Sequence, residues 1–191
     1  MNLKHLNQAT YDYIYKDIFE FRNTFDLPVE DPQSLNDQID ILHTSLIIEE
    51  LTELAEADCL VEQADAIVDS VYVLMGRLVH LGAKNYTDNI EISYLVDLML
   101  AVAHNLKFDF IECWDDIHSS NMSKVCRSEE EYLKTEQFYA DQGIKLFATQ
   151  KGEYIIAKCA EDGEFEGKTI RYGKVLKSVN YRPADLAKVI N

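Results

Sequence analysis

Positive charge is scarce in this chain: 18 Lys and Arg residues stand against 34 Asp and Glu, leaving a net charge of −16. A molecule this acidic repels DNA and RNA as a whole, which argues against a nucleic-acid partner. Any phosphate-bearing ligand then needs a local cation or a metal. Cysteine is sparse too. Cys59, Cys113, Cys126 and Cys159 are scattered, with no CxxC spacing and no nearby His to complete a zinc set, so they read as reduced thiols. No apolar run approaches the roughly 18 residues of a membrane-spanning helix. No charged-then-apolar signal pattern opens the chain. These absences predict a soluble, cytoplasmic protein with no membrane partner. Repeats and low-complexity segments are lacking as well, and an apolar fraction of 47% excludes a disordered chain.

Helical periodicity dominates what is present. Tyr11, Ile14, Tyr15, Ile18, Phe21 and Phe25 follow the three-four spacing of an amphipathic helix within Leu3 to Phe25. The Leu27-Pro28 to Pro32 segment breaks it. Asn36 or Ser34 can cap a second helix reaching about Asp58. A third runs from about Val61 to Leu81 and is closed by Gly82. A fourth spans Tyr86 to Asn105, with Ile90, Leu95, Leu98, Val102 and Leu106 as its apolar set. Shorter helices follow from Asp109 to Ser119 and from Ser128 to Asp141. After Gly143 the pattern changes to short apolar strands around a Gln-Lys-Gly-Glu turn, with a third strand over Thr169 to Leu176. Pro183 to Leu186 begins a last helical turn. The reading is mainly α: an antiparallel helical bundle over residues 1–142, with a small C-terminal antiparallel β-element in 143–191 packed on it.

The most informative stretch is Glu49-Glu50-Leu51-Thr52-Glu53, followed after a turn by Glu62-Gln63-Ala64-Asp65-Ala66-Ile67-Val68-Asp69. Glu50 and Glu53 share one helix face, and Asp65 and Asp69 share another. Both pairs interrupt apolar stripes, where an uncompensated charge costs several kcal/mol. The solvated-charge alternative suits most Asp and Glu. The flanking runs Ser45 to Ile48 and Ala66 to Val68 predict instead that both helices are largely buried. Four converging carboxylates without Cys or His suit a hard cation, Mg²⁺ or Mn²⁺ in its place.

This acidic hairpin resembles the all-α nucleoside triphosphate pyrophosphatases, the superfamily of MazG, the dimeric dUTPases and phosphoribosyl-ATP pyrophosphohydrolase, whose signature is EExxE followed by ExxD. The first half is matched by Glu49 to Glu53. Glu62-Gln63-Ala64-Asp65 satisfies ExxD literally, but Glu62 stands in a helix's first turn, where the dipole already favours a carboxylate. Asp65 to Asp69 is a DxxxD variant similar to the phosphoribosyl-ATP-pyrophosphohydrolase-like branch. Two further blocks resemble the same branch: His118-Ser119-Ser120-Asn121-Met122-Ser123-Lys124, and Gly173-Lys174-Val175-Leu176-Lys177-Ser178 followed by Tyr181-x-Pro183-Ala184-Asp185.

The resemblance implies a nucleotide pyrophosphohydrolase that releases pyrophosphate from a nucleoside triphosphate or related nucleotide, with house-cleaning of nucleotide pools as a role. Glu50, Glu53, Asp65 and Asp69 would hold the metal, and Glu49 would orient or deprotonate the attacking water. Asn121, Ser123 and Lys124 offer an amide, a hydroxyl and a cation to the substrate. Lys174 and Lys177, read as strand neighbours on opposite faces, leave one of the two to reach the phosphates. His118 reads as a hydrogen-bonded structural residue, and Trp114 and Tyr72 as core, with base stacking as their alternative use. A homodimer or higher assembly is expected. The competing readings are a catalytically silent nucleotide- and metal-binding protein and an acidic interaction protein.

Overall fold

The computed structural model describes residues 3–165 and 167–190. It is mainly helical: α1 (Gln8–Thr24), α2 (Asp37–Glu56), α3 (Leu60–Leu81), α4 (Ile90–Leu106), α5 (Phe110–Met122), α6 (Glu129–Ala140) and a short α7 (Leu186–Val189). Strands β1 (Leu146–Lys151) and β2 (Tyr154–Cys159) form one antiparallel pair, and β3 (Gly163–Phe165) and β4 (Lys168–Ile170) form another. The chain divides into two compact units. One holds residues 3–23, 28–118 and 184–190, the other 24–27 and 119–183. α6 therefore belongs with the hairpins.

Helix ends follow local chemistry. The Asn36 side chain accepts from the Ile39 N–H at 3.0 Å and starts α2. α3 stops at Gly82, whose φ of 73° lets its N–H turn back to Leu78 and Val79 carbonyls. α4 begins later than the periodicity suggests, because Asn89 caps it through the Ile92 N–H and the preceding residues form turns. Ser128 caps α6 through the Glu131 N–H, while the Glu131 carboxylate reaches back to the Arg127 N–H at 2.9 Å.

The first unit is built around α3, against which α2, α4 and α7 pack. Ile67, Val68, Val71, Met75 and Leu78 of α3 are fully buried together with Tyr11, Ile14 and Ile18 of α1 and Trp114 of α5. Two apolar faces differ from expectation. On α4, Leu95, Leu98 and Val102 are exposed, and the buried positions are Ser93, Val96, Asp97, Leu100 and Ala103. Asp97 decides that rotation: its carboxylate collects the N–H groups of Lys4, His5 and Leu6 at 2.6–3.1 Å. Burial opposes its charge, but those three donors outweigh burial and hold its carboxyl below the ordinary range. On α2 only His43 is fully buried, and Ile41, Ile48 and Leu51 face solvent, so this helix is not the largely buried one its composition suggests.

In the second unit, β1 pairs with β2 in the register Leu146 to Cys159 through Lys151 to Tyr154. The expected strand over Thr169 to Leu176 is shorter. β4 ends at Ile170, because the Asp162 carboxylate takes the Tyr172 N–H at 2.8 Å and Gly173 turns the chain with a φ of 82°. Val175 makes only an isolated bridge to Lys158. Lys158 is itself buried, and its ammonium donates to the Asp26 carbonyl at 2.9 Å.

Candidate functional site

The acidic pairs lie on the α2–α3 hairpin, where the two helices run antiparallel and packed. Glu50 and Glu53 on α2 and Asp65 and Asp69 on α3 are all half-buried, as is Glu49. The donor set fits a hard divalent cation, since it offers carboxylate oxygen without nitrogen or sulfur. Asp65 also makes its charge felt on α5. The Cys113 thiol is pushed up to about 11, first by burial and then by the charges of Asp109, Glu112, Asp116 and Asp65. Glu62 is exposed, and its carboxylate accepts the Asp58 N–H at 2.8 Å just before α3. That bond is the helix-start role its position implies.

A cavity of about 350 Å³ opens beside the hairpin, between α2, α3 and α4. Ile47, Val73 and Ile92 supply apolar walls, and Asp40 and Arg77, joined as an ion pair, supply the polar edge. Ile47 is one helical turn before Glu50, and Val73 one turn after Asp69, so the cavity continues along both helices from the carboxylates. Apart from Ile47, which lies in the apolar run Ser45 to Ile48, its residues carry no local signature in the sequence, because a Val, an Ile and an ion pair from three helices share no spacing.

α2 and α3 also carry buried histidines, of which His43 lines the cavity. His43 is pushed down to about 3 by burial and the nearby Arg22 charge, with smaller contributions from His80 and Arg77 that outweigh Asp40. His80 is lowered mainly by burial, and its Nε2 lies 2.8 Å from the Ser34 hydroxyl. Arg22, buried and bonded through Nε to the Pro28 carbonyl at 2.7 Å, keeps its charge.

A separate ligand-rich group comes together in the same unit. One ligand atom each from Asp17, Glu20 and His118 lies within 4.8 Å of the other two. Asp17 and Glu20 passed unnoticed in the sequence, although their spacing repeats the logic of the acidic pairs: carboxylates three apart in the stripe of Ile14, Ile18 and Phe21. Their partner lies almost a hundred residues away. His118 is hydrogen-bonded as expected, its Nδ1 3.0 Å from the Tyr72 hydroxyl. Trp114 and Tyr72 stack on each other in the core with centroids 5.1 Å apart.

The remaining candidates lie in the second unit. Asn121 and Ser123 are buried at the end of α5 and just beyond it, and Lys124 is half-buried. The Ser123 hydroxyl donates to the Ser120 carbonyl at 2.7 Å and accepts the Arg182 N–H at 2.9 Å, while Ser120 donates to the Tyr181 hydroxyl. The two sequence blocks beginning at His118 and at Tyr181 are thus tied together. Lys174 and Lys177 lie outside any strand, so alternation of strand faces does not separate them. They differ otherwise. Lys177 is exposed with its ammonium 4.7 Å from the Tyr181 ring centre, and Lys174 is half-buried with its carbonyl accepting the Cys159 N–H.

Comparison with curated proteins gives no match, and neither does comparison with solved structures. The family model described as phosphoribosyl-ATP pyrophosphohydrolase matches residues 19–92, from the end of α1 to the start of α4. That span contains the whole α2–α3 hairpin and both carboxylate pairs, and the family it matches is one of the all-α nucleoside triphosphate pyrophosphatases.

Proposed function

We propose that this protein hydrolyses a nucleoside triphosphate or a related nucleotide to the monophosphate and pyrophosphate, with Mg²⁺ or Mn²⁺ bound by Glu50, Glu53, Asp65 and Asp69. The observation that carries the reading is the half-buried double pair of carboxylates on one antiparallel hairpin, inside the segment that matches the family. A divalent cation bound there supplies charge neutralisation for the phosphates and a more acidic water. Glu49, beside the ligand pair on α2, orients that water and accepts its proton. The neighbouring cavity suits the nucleoside part: apolar walls take the base, and the Asp40–Arg77 pair offers polar contacts at the edge.

The working form in this proposal is a homo-oligomer. Ile41, Ile48 and Leu51 on α2 follow one helical stripe and are 41–58% exposed. Leu95, Leu98 and Val102 form a second stripe on α4. Residues of this kind at helical spacing are what a second copy of the chain would cover.

A screen for Mg²⁺-dependent pyrophosphate release over ordinary and damaged nucleotides tests the reaction. Asp69→Asn and Glu50→Gln should each lower turnover by at least about 100-fold, the scale of losing one contact that stabilises transition-state charge. Both variants should remain folded without Mg²⁺, since each relieves carboxylate repulsion. Near-normal turnover in either variant at saturating Mg²⁺ removes that residue from the ligand set. No pyrophosphate release from any nucleotide overturns the reading.

A further inference from the structure

We infer that Asp17, Glu20 and His118 form a second cation site, for a borderline divalent transition metal of the Zn²⁺ class, separate from the all-oxygen tetrad of the hairpin.

Geometry comes first. Asp17 and Glu20 are three apart on α1 and present their carboxylates on one face, and His118 reaches them from α5. The three ligand atoms lie within 4.8 Å of one another. Ligands about 2.0–2.2 Å from one tetrahedral ion sit roughly 3.4 Å apart, so closure needs at most about 1.4 Å of side-chain movement. Glu20 is exposed and has the rotamer freedom to make it.

The other two ligands are already held by groups that are not ligands. The Trp114 indole N–H donates to Asp17 Oδ2 at 2.9 Å, and the Tyr72 hydroxyl engages His118 Nδ1 at 3.0 Å. Trp114 and Tyr72 are core residues stacked on each other, so neither can swing away. With Nδ1 engaged by the phenol oxygen, Nε2 is the ring atom available to a metal. Outer hydrogen bonds of this kind are how ligating histidines and carboxylates are oriented.

Charge supplies the second line of support. Asp17 is only 9% exposed, and among the described residues its partner is a neutral indole, with no Lys or Arg paired to it. A buried carboxylate facing a second carboxylate is costly unless a cation joins them. His118 makes the donor set one nitrogen and two oxygens. That set selects Zn²⁺ over Mg²⁺, because imidazole suits zinc and Mg²⁺ keeps to oxygen. The tetrad and this triad would therefore sort two cations by ligand type, and a metal here would clip α1 to α5.

The test is a Zn²⁺ titration of metal-stripped, full-length protein in saturating Mg²⁺, followed by calorimetry, with Co²⁺ as a spectroscopic stand-in. One tight equivalent per chain is expected, with the intense visible Co²⁺ bands of a four-coordinate site rather than the weak ones of a six-coordinate all-oxygen site. His118→Ala and Glu20→Gln should each weaken it by at least 10-fold. Tyr72→Phe, which keeps the ring and removes the hydroxyl that engages His118, should weaken it 10- to 100-fold. Glu20 is at the surface, so its variant reports binding even if His118→Ala misfolds. The His5–His104 pair and the exposed Cys59 are the competing places for zinc. Unchanged binding in His5→Ala/His104→Ala and in Cys59→Ser supports the triad. No tight equivalent in the parent protein, loss only in those controls, or unchanged affinity in Glu20→Gln overturns it.

Discussion

At the residue scale, the buried histidines have the clearest consequence. Burial and Arg22 keep His43 neutral, and its pKa is about 3 in the folded chain against about 6.5 for an ordinary histidine. The unfolded chain takes a proton that the folded one refuses. Stability from this group is complete above pH 6.5 and is lost as pH falls toward 3. Unfolding in urea between pH 7 and pH 5 should show a loss on the order of 2 kcal/mol, at about 1.4 kcal/mol per pH unit. His43→Leu should reduce that slope; an unchanged slope would assign the acid sensitivity to His80 or to the carboxylates. The ambiguity at the start of α3 also belongs to single residues. Because Glu62 is spent on the Asp58 N–H, Glu62→Gln should reduce pyrophosphate release far less than Asp65→Asn. The reverse ranking would move the ligand set one turn toward the helix start.

At the scale of elements, helix ends were legible in the sequence and helix faces less so. Asn36, Ser128 and Gly82 announce their ends because capping needs one side chain or one free φ, both local properties. Gly82→Ala tests this. A Cβ there would meet Glu30 Cα at 3.4 Å, ordinary contact, so the cost is the left-handed backbone, about 1–2 kcal/mol by denaturant unfolding. A neutral result would mean the turn re-forms without the positive φ. The rotation of α4 followed no such rule. Its more apolar stripe, Leu95, Leu98 and Val102, faces out, and Asp97 faces in to hold three N–H groups from the start of the chain. Sequence periodicity ranks faces by apolarity. It cannot see a buried carboxylate satisfied from ninety residues away.

For the whole molecule, the exposed stripes on α2 and α4 bear on assembly. Ile48→Glu places a charge at the most exposed of these positions, 58% open in the single chain. It should leave the fold intact and shift sedimentation toward the monomer. An unchanged mass would leave the stripes unassigned to self-association. None of the helices among the described residues is long and apolar enough to cross a membrane.

By itself the sequence determined the helical character, the positions of the hairpin and its caps, and the two carboxylate pairs with the family they resemble. All of these rest on spacings of three, four or a few residues, which chain geometry converts directly into a shared face or a helix end. Only the tertiary structure decided that α2 is less buried than its composition suggests and that a cavity continues the line of the acidic pairs. It alone brought Asp17 and Glu20 to His118, and tied the His118 block to the Tyr181 block through Ser120 and Ser123. Each of those depends on residues far apart in the chain, whose meeting is set by how buried side chains pack around α3 and by where buried polar groups find partners.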